Sequence, residues 1–224
     1  MPNKVFFISG IDTDSGKTFA TGLLAKTLMN QGKTVITQKI AQTGCTDISI
    51  DIIKHREIMG IELLEEDISK ITCPFCYEMP ASPHLAAKLE GKQIDIITID
   101  ANTKALSSKF EYVLIEGAGG LLVPITDEIF TIDFIKQRNY PLILVTSAKI
   151  GSINHTLLSV EACLNRGVNL AGIIFNLFPE VDKNIVDDSQ SKIKTDLHSK
   201  YPNAFFCEIP ILQKDKTESF FINL

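Results

Sequence analysis

The chain has 224 residues, of which 45% are hydrophobic and 22% charged, and 22 Lys plus Arg face 27 Asp plus Glu for a net charge of −5. That length supports one sizeable domain with a real core. The acidic balance argues against a general nucleic-acid binder, whose affinity rests on neutralising phosphates. No apolar run approaches a membrane span. The N-terminus, Met1-Pro2-Asn3-Lys4, lacks the apolar stretch of a secretion signal, so a cytoplasmic protein is expected.

The first predicted strand covers residues 5–9. It delivers the chain into Gly10-Ile11-Asp12-Thr13-Asp14-Ser15-Gly16-Lys17-Thr18. A helix follows over 17–30, with Phe19, Leu23, Leu24 and Leu28 largely on one side and Gly32 just past its end. A glycine loop between strand and helix holds phosphate through backbone N–H groups and the helix N-terminus. Lys17 then reaches the outer phosphates, and the Thr18 hydroxyl can ligate Mg²⁺. Ile11 stands where the usual pattern has its first Gly, so this loop is one residue longer.

The second strand is predicted over 34–38, and a long connection over about 44–111 carries Pro74, Pro80, Pro83 and two helices. It also holds Cys73-Pro74-Phe75-Cys76, the one close pair among five cysteines. A zinc site needs further ligands at suitable spacing, and the four His are dispersed. An isolated C-x-x-C in a Pro-rich loop therefore reads as structural, with no disulfide framework.

The third strand, 112–115, leads into Glu116-Gly117-Ala118-Gly119-Gly120. A carboxylate at a strand end beside a phosphate loop suits Mg²⁺, and small residues after it let the chain lie close to a nucleotide. Strands at 142–145, 170–175 and 204–207 complete the series, with a helix over 154–165 between the first two of these. Uniformly apolar strands alternating with helices predict a single doubly wound, mainly parallel α/β sheet.

With these motifs in order, the chain resembles the dethiobiotin synthetases. The family loop G-T-D-T-x-x-G-K-T matches residues 10–18, longer spacing included. Lys39-Ile40-Ala41-Gln42-Thr43-Gly44, Ser82-Pro83-His84, Glu116 to Gly120 and Lys149-Ile150-Gly151-Ser152-Ile153-Asn154-His155 match later elements, and Asn176 follows strand five. The resemblance implies a P-loop NTPase-like fold and formation of the cyclic urea of dethiobiotin from 7,8-diaminononanoate, CO₂ and ATP or another nucleoside triphosphate. It implies catalytic Lys17, Lys39 and Thr13. Nucleotide contacts would come from Asp14, Ser15, Gly16, Lys17, Thr18, Phe19, Glu116, Gly117, Ala118, Gly119, Asn176 and Pro210. Substrate would meet Thr13, Lys39, Thr43 and, across a homodimer interface, Gly151, Ser152 and Asn154, where a helix begins. Mg²⁺ would be held by Thr18, Glu116 and an Asp chosen among Asp47, Asp51 and Asp67. Asp51 is favoured because Asp51-Ile52-Ile53-Lys54 resembles a family helix start. Leu177 stands where the family usually has Asp, so the base is left open.

The alternative reading is a nucleotide-switch ATPase of the partitioning or metal-cluster-carrier type. Such loops carry an extra Lys five positions before the phosphate-loop Lys, and Asp12 stands there instead.

Overall fold

The computed structural model describes residues 4–209. The elements in chain order are β1 (Lys4–Gly10), α1 (Lys17–Asn30), β2 (Val35–Lys39), β3 (Gln42–Thr43), α2 (Ile50–Met59), α3 (Glu65–Ile68), β4 (Cys76–Tyr77) and α4 (Pro83–Leu89). They continue as α5 (Ile96–Lys109), β5 (Tyr112–Gly120), α6 (Thr131–Arg138), β6 (Leu142–Ser147), α7 (Ser152–Arg166), β7 (Leu170–Asn176), α8 (Lys183–Lys200) and β8 (Phe205–Ile209). Six strands form one sheet in the order β2-β5-β1-β6-β7-β8, every neighbouring pair parallel. β3 and β4 form a separate parallel pair.

Strand residues are apolar throughout because both sheet faces are covered. Phe7, Ile36, Val113, Leu144 and Ile173 point into one layer, with Ile99 and Leu106 of α5 and Phe134 of α6. Their neighbours Ile8, Val35, Leu114, Ile143 and Ile174 point the other way, onto Leu24 and Leu28 of α1. Alternation along each strand thus feeds two cores rather than one core and solvent.

The connection after β1 leads to β2 on one side, and the connection after β6 leads to β7 on the other. Adjacent strands whose connections diverge leave a crevice at their carboxyl ends, the usual ligand position in open α/β sheets. The loop after β1 and the segment before α7 therefore flank one crevice.

Three expectations shift. β5 does not stop at Ile115 but runs through Gly120, so Glu116 lies within a strand. The connection over 44–111 holds four helices and the short strand β4, which pairs with β3 just ahead of it, rather than two helices alone. Helix α7 begins at Ser152, capped by Gly151 at φ 94°, so Asn154 sits inside its first turn.

Candidate active site

Glycine shapes the phosphate loop in two places. Gly16 precedes α1 at φ 92°, a conformation L side chains rarely adopt, and an added Cβ would lie 2.3 Å from Asn176 Nδ2. A Cβ at Gly10 would meet Ser15 Oγ at 2.1 Å and Lys17 Nζ at 2.9 Å. Both backbones are approached too closely for any side chain. Within the loop Ser15 Oγ donates to Asp12 O at 3.3 Å, while Thr13 and Asp14 face solvent. Asn176, at the end of β7, donates from Nδ2 to Ser15 O at 3.3 Å and so braces the loop from the far side.

Lys17 is buried, and its ammonium donates to Asp12 O at 2.7 Å and Thr13 O at 3.0 Å. Burial and then the nearby Lys39 cation lower it to about 8. Asp12 is fixed in turn by Lys149, 2.6 Å from its Oδ2. The position that switch-type loops give to a lysine is thus filled by an aspartate paired with a lysine from across the crevice.

The central cluster follows from strand register. Lys39 ends β2 directly opposite Glu116 on β5. Side chains at paired positions point to the same face, so the two meet. Lys39 Nζ donates to Glu116 Oε1 at 2.8 Å and to Gly117 O at 3.0 Å, and it pairs with Asp51 Oδ2 at 2.5 Å. Burial pulls this ammonium down, but the Glu116 and Asp51 carboxylates outweigh it and hold Lys39 above the ordinary lysine value. Burial alone would raise Glu116, yet Lys39 and His55 keep it well below the usual carboxylate range. Both groups are therefore ionised at neutral pH. Thr18 Oγ1 donates to Glu116 Oε1 at 3.0 Å, joining the phosphate loop to this cluster.

His55 is a member that the motifs did not mark. Its ring is fully buried, with Nε2 2.8 Å from Glu116 Oε2 and Nδ1 3.0 Å from Thr37 Oγ1. Arg56 Nη1 donates to Thr37 Oγ1 at 2.8 Å, which leaves the Thr37 hydroxyl hydrogen for His55 Nδ1. That chain of donors places the ring proton on Nε2, facing Glu116. Arg56 itself is 2% exposed and held by both oxygens of Asp67 at 2.8 Å. A signal for His55 was present: Asp51 and His55 lie four apart on α2, and Thr37 and Lys39 two apart on β2, so each pair shares a face.

Among the three candidate aspartates, Asp51 touches Lys39, Asp67 is taken by Arg56, and Asp47 pairs with Lys70 at the surface at 3.3 Å. Thr43 lies half-buried on β3. Phe19 is half-buried on α1, and Gly117 is buried beside half-buried Ala118 and Gly119. On the far rim, Gly151 and Asn154 are exposed. Ser152 turns inward: its Oγ is 3.2 Å from Ser147 Oγ and its N–H donates to Lys149 O. Pro210 lies outside the described residues.

Thr18 donates to Glu116 at the loop end and Asp51 lies beside them on Lys39, so three hard oxygen donors of the type Mg²⁺ prefers gather there. Among the described residues no three His, Cys, Asp or Glu side chains form a ready-made metal cage. No described helix is long and apolar enough to cross a membrane.

A glycine loop between a central parallel strand and a helix, with Lys17 and Thr18 at its end and Glu116 facing it, defines a phosphate-loop nucleotide-binding α/β protein. The fold is similar to that of a chain of the MinC:MinD cell division protein complex of Aquifex aeolicus, at TM-score 0.54 and 15% identity, covering 92% of this chain and 81% of that one. The model of a family described as an AAA domain matches residues 4–215. ATP-dependent dethiobiotin synthetase BioD 2 of Haemophilus influenzae is 57% identical over 183 residues, which is 82% of this chain and 96% of that protein. BioD 2 of Pasteurella multocida is 53% identical, with 91% and 95% covered. BioD of Chlorobaculum tepidum is 49% identical, with 86% and 81% covered. The chain belongs to the ATP-dependent dethiobiotin synthetase family.

Proposed function

We propose that the protein forms dethiobiotin from 7,8-diaminononanoate, CO₂ and ATP, with Mg²⁺, as a homodimer of one-domain subunits. The observation that carries this reading is the pair of buried cations, Lys17 and Lys39, that feel each other's charge and that of Glu116 at the end of the phosphate loop. Every species on the path is anionic at the reacting end, so fixed positive charge and alignment are what the chemistry needs.

One substrate amine adds to CO₂ and loses a proton, giving a carbamate. Lys39 would donate to the carbamate oxygen by exchanging its Asp51 contact, a role supported by Glu116 and Gly117 O, which keep the ammonium in place. Thr13 and Thr43 offer hydroxyls to the carbamate and amine ends. The carbamate oxygen attacks the γ-phosphorus, ADP leaves, and a carbamic–phosphoric anhydride results. Lys17, released from Asp12 O and Thr13 O, follows the transferring phosphoryl group. The second amine then attacks the carbonyl carbon, closes the urea and expels phosphate. Thr18, Asp51 and Glu116 would hold Mg²⁺, which when bound neutralises charge on the phosphates.

The exposed start of α7, with Gly151 and Asn154, supports capture of the substrate carboxylate by a second subunit. A cavity of about 380 Å³ beside it is lined by Lys149, Ile150, Gly151, Ile153, Asn184, Ile185, Asp188 and Ser189.

The test is direct. Purified protein with 7,8-diaminononanoate, bicarbonate, Mg²⁺ and ATP should yield the cyclic urea by mass, with one phosphate released per product. Absence of that product with ATP and every other common nucleotide would overturn the assignment.

A further inference from the structure

Three of the five cysteines, Cys45, Cys73 and Cys76, converge beside the segment that carries Thr43. Cys73 Sγ and Cys76 Sγ stand 3.8 Å apart. Cys73 is buried and Cys76 is half-buried. A disulfide needs about 2.05 Å between sulfurs, so a displacement of roughly 1.8 Å would join them. The turn between them is short, and its backbone is already spoken for. Thr72 O accepts from Lys39 N at 2.7 Å, Phe75 O from Gln42 N at 2.8 Å and Tyr77 O from Cys45 N at 3.0 Å. Cys76 itself is the register partner of Gln42, and Tyr77 that of Thr43. Gln42 Oε1 in turn accepts from Ser49 Oγ at 2.7 Å and from Asp51 N at 3.3 Å. The dithiol turn is therefore bonded, one step removed, to Lys39, Thr43 and Asp51.

We propose that Cys73 and Cys76 are a thiol–disulfide exchange site that accepts a small-molecule disulfide, and that closing the Cys73–Cys76 bond draws the 42–45 segment out of its working position. The second half rests on the assignment of Thr43 and Lys39 to substrate; the first half does not.

The chemistry balances with the oxidant as co-reactant. Cys76, as thiolate, attacks one sulfur of RS–SR, forms a mixed disulfide and expels RS⁻. The Cys73 thiol gives up its proton and attacks Cys76 Sγ, forming the internal bond and expelling the second RS⁻. Two thiols are oxidised, one small disulfide is reduced to two thiols, and the reverse reaction restores the dithiol.

The environment suits that order of attack. The Cys73 thiol hydrogen-bonds to Cys76 and draws it down to about 7, helped by Lys70 and Cys45 and opposed by burial and Asp47. The same pairing and burial push Cys73 well up, with Lys39 and Ser49 acting the other way. The accessible sulfur is thus the nucleophile and the buried one resolves it.

The full chain is equilibrated in glutathione buffers of increasing oxidised fraction, quenched with N-ethylmaleimide, and read by intact and peptide mass. Loss of two alkylation sites, a Cys73–Cys76 cross-linked peptide and recovery with dithiothreitol are expected. Cys45→Ser should keep the bond. Cys73→Ser should trap glutathione on Cys76, and Cys73→Ala should move the midpoint of Cys76 alkylation upward from about pH 7. No internal bond at the most oxidising ratio, or a Cys45–Cys76 link, overturns the exchange site. In turnover assays the oxidised protein should lose tenfold or more in kcat/KM for the diamine with ATP affinity unchanged, and Cys76→Ser should be insensitive to oxidant. A bond that forms without changing kcat/KM overturns the coupling. Should the reduced protein form no cyclic urea, the functional assignment fails while the mass result still decides the exchange site.

Discussion

Replacing Lys39 by Met removes the charge at the centre of the cluster and keeps most of the side-chain volume. Lys39 is 4% exposed and Glu116 is fully buried, so water cannot take over the lost contact. Glu116 would keep Thr18 and His55 as partners but no permanent cation, with Asp51 close by. Breaking one side of a buried ion pair costs about 3–5 kcal/mol, because a charge is left uncompensated. For a chain of this size that lowers Tm by roughly 6–20 °C. The loss should depend on pH. In the native protein Glu116 is depressed, so its contribution is present above the unfolded value and lost only as pH falls through the folded one. Without Lys39, burial dominates and raises Glu116, so the variant recovers stability as pH falls and Glu116 takes up a proton. Guanidinium unfolding at pH 8 and pH 5 should show the gap between native and Lys39→Met shrinking at the lower pH. Adding Glu116→Gln to Lys39→Met should restore part of the loss, which a double-mutant cycle measures. A destabilisation under about 1 kcal/mol at pH 8, with no pH dependence, would refute the buried-pair account. Turnover by Lys39→Met near the native rate would refute its role toward the carbamate.

Other outcomes follow from single contacts. His55→Leu removes the donor to Glu116 Oε2 and should raise the Mg²⁺ concentration for half-maximal turnover, or lower activity, by about 10–100-fold, measured by Mg²⁺ titration of turnover. Gly16→Ala forces a Cβ against Asn176 in a left-handed backbone, so nucleotide binding should be lost in calorimetry while the fold persists by circular dichroism. With Lys17 near 8 in the free protein, its cation fades as pH rises through 8; ATP adds negative charge and should draw a proton onto it. Calorimetry at pH 8.5 in buffers of differing ionisation enthalpy should show proton uptake on binding. Asp67→Asn strips the Arg56 guanidinium of its counter-charge and should cost about 3–5 kcal/mol in denaturant unfolding. Because Asp67 is depressed, that stabilisation exists above its unfolded value and fades as pH falls through its folded one. The native protein should therefore lose stability in acid more steeply than the variant.

The strands and the phosphate loop were legible because their signals are local: apolar runs of strand length, and a glycine loop that must sit between strand and helix. Lys39 and Glu116 were legible as motif members, but that they sit side by side comes from the β2–β5 register, a pairing across 77 residues of chain. Among Asp47, Asp51 and Asp67 the sequence favoured Asp51 only through the likeness of Asp51-Ile52-Ile53-Lys54 to a family helix start, since all three lie near helix starts or turns. Space separates them, by giving Asp67 to Arg56 and Asp51 to Lys39. The third strand was expected to end at Ile115, where its apolar run stops, with Glu116 and the glycines following it. Here β5 carries them onward because Gly117 packs against Phe7 and Gly120 against the Gly10 carbonyl, so strand pairing survives without side chains. The turn residues around Cys73 carried no periodic signal; the β3–β4 pairing and the hydrogen bond from Lys39 N to Thr72 O tie them to the site.

The contacts of Lys17 with its own loop have a consequence for selectivity. The two carbonyls of Asp12 and Thr13 act as internal competitors for the ammonium. A visiting anion finds two of the three ammonium donors already engaged and competes with these carbonyls for the rest of the charge, and a hydrogen bond to a charged group is worth about 1.5–3 kcal/mol. A lone phosphate or bicarbonate offers little beyond that exchange. A triphosphate chain engages the loop amides, the helix terminus and the cation together, and so overcomes the competition. The site thereby discriminates by the number of simultaneous contacts rather than by charge alone, which matters in a reaction whose substrates include bicarbonate-derived CO₂ and whose product is free phosphate.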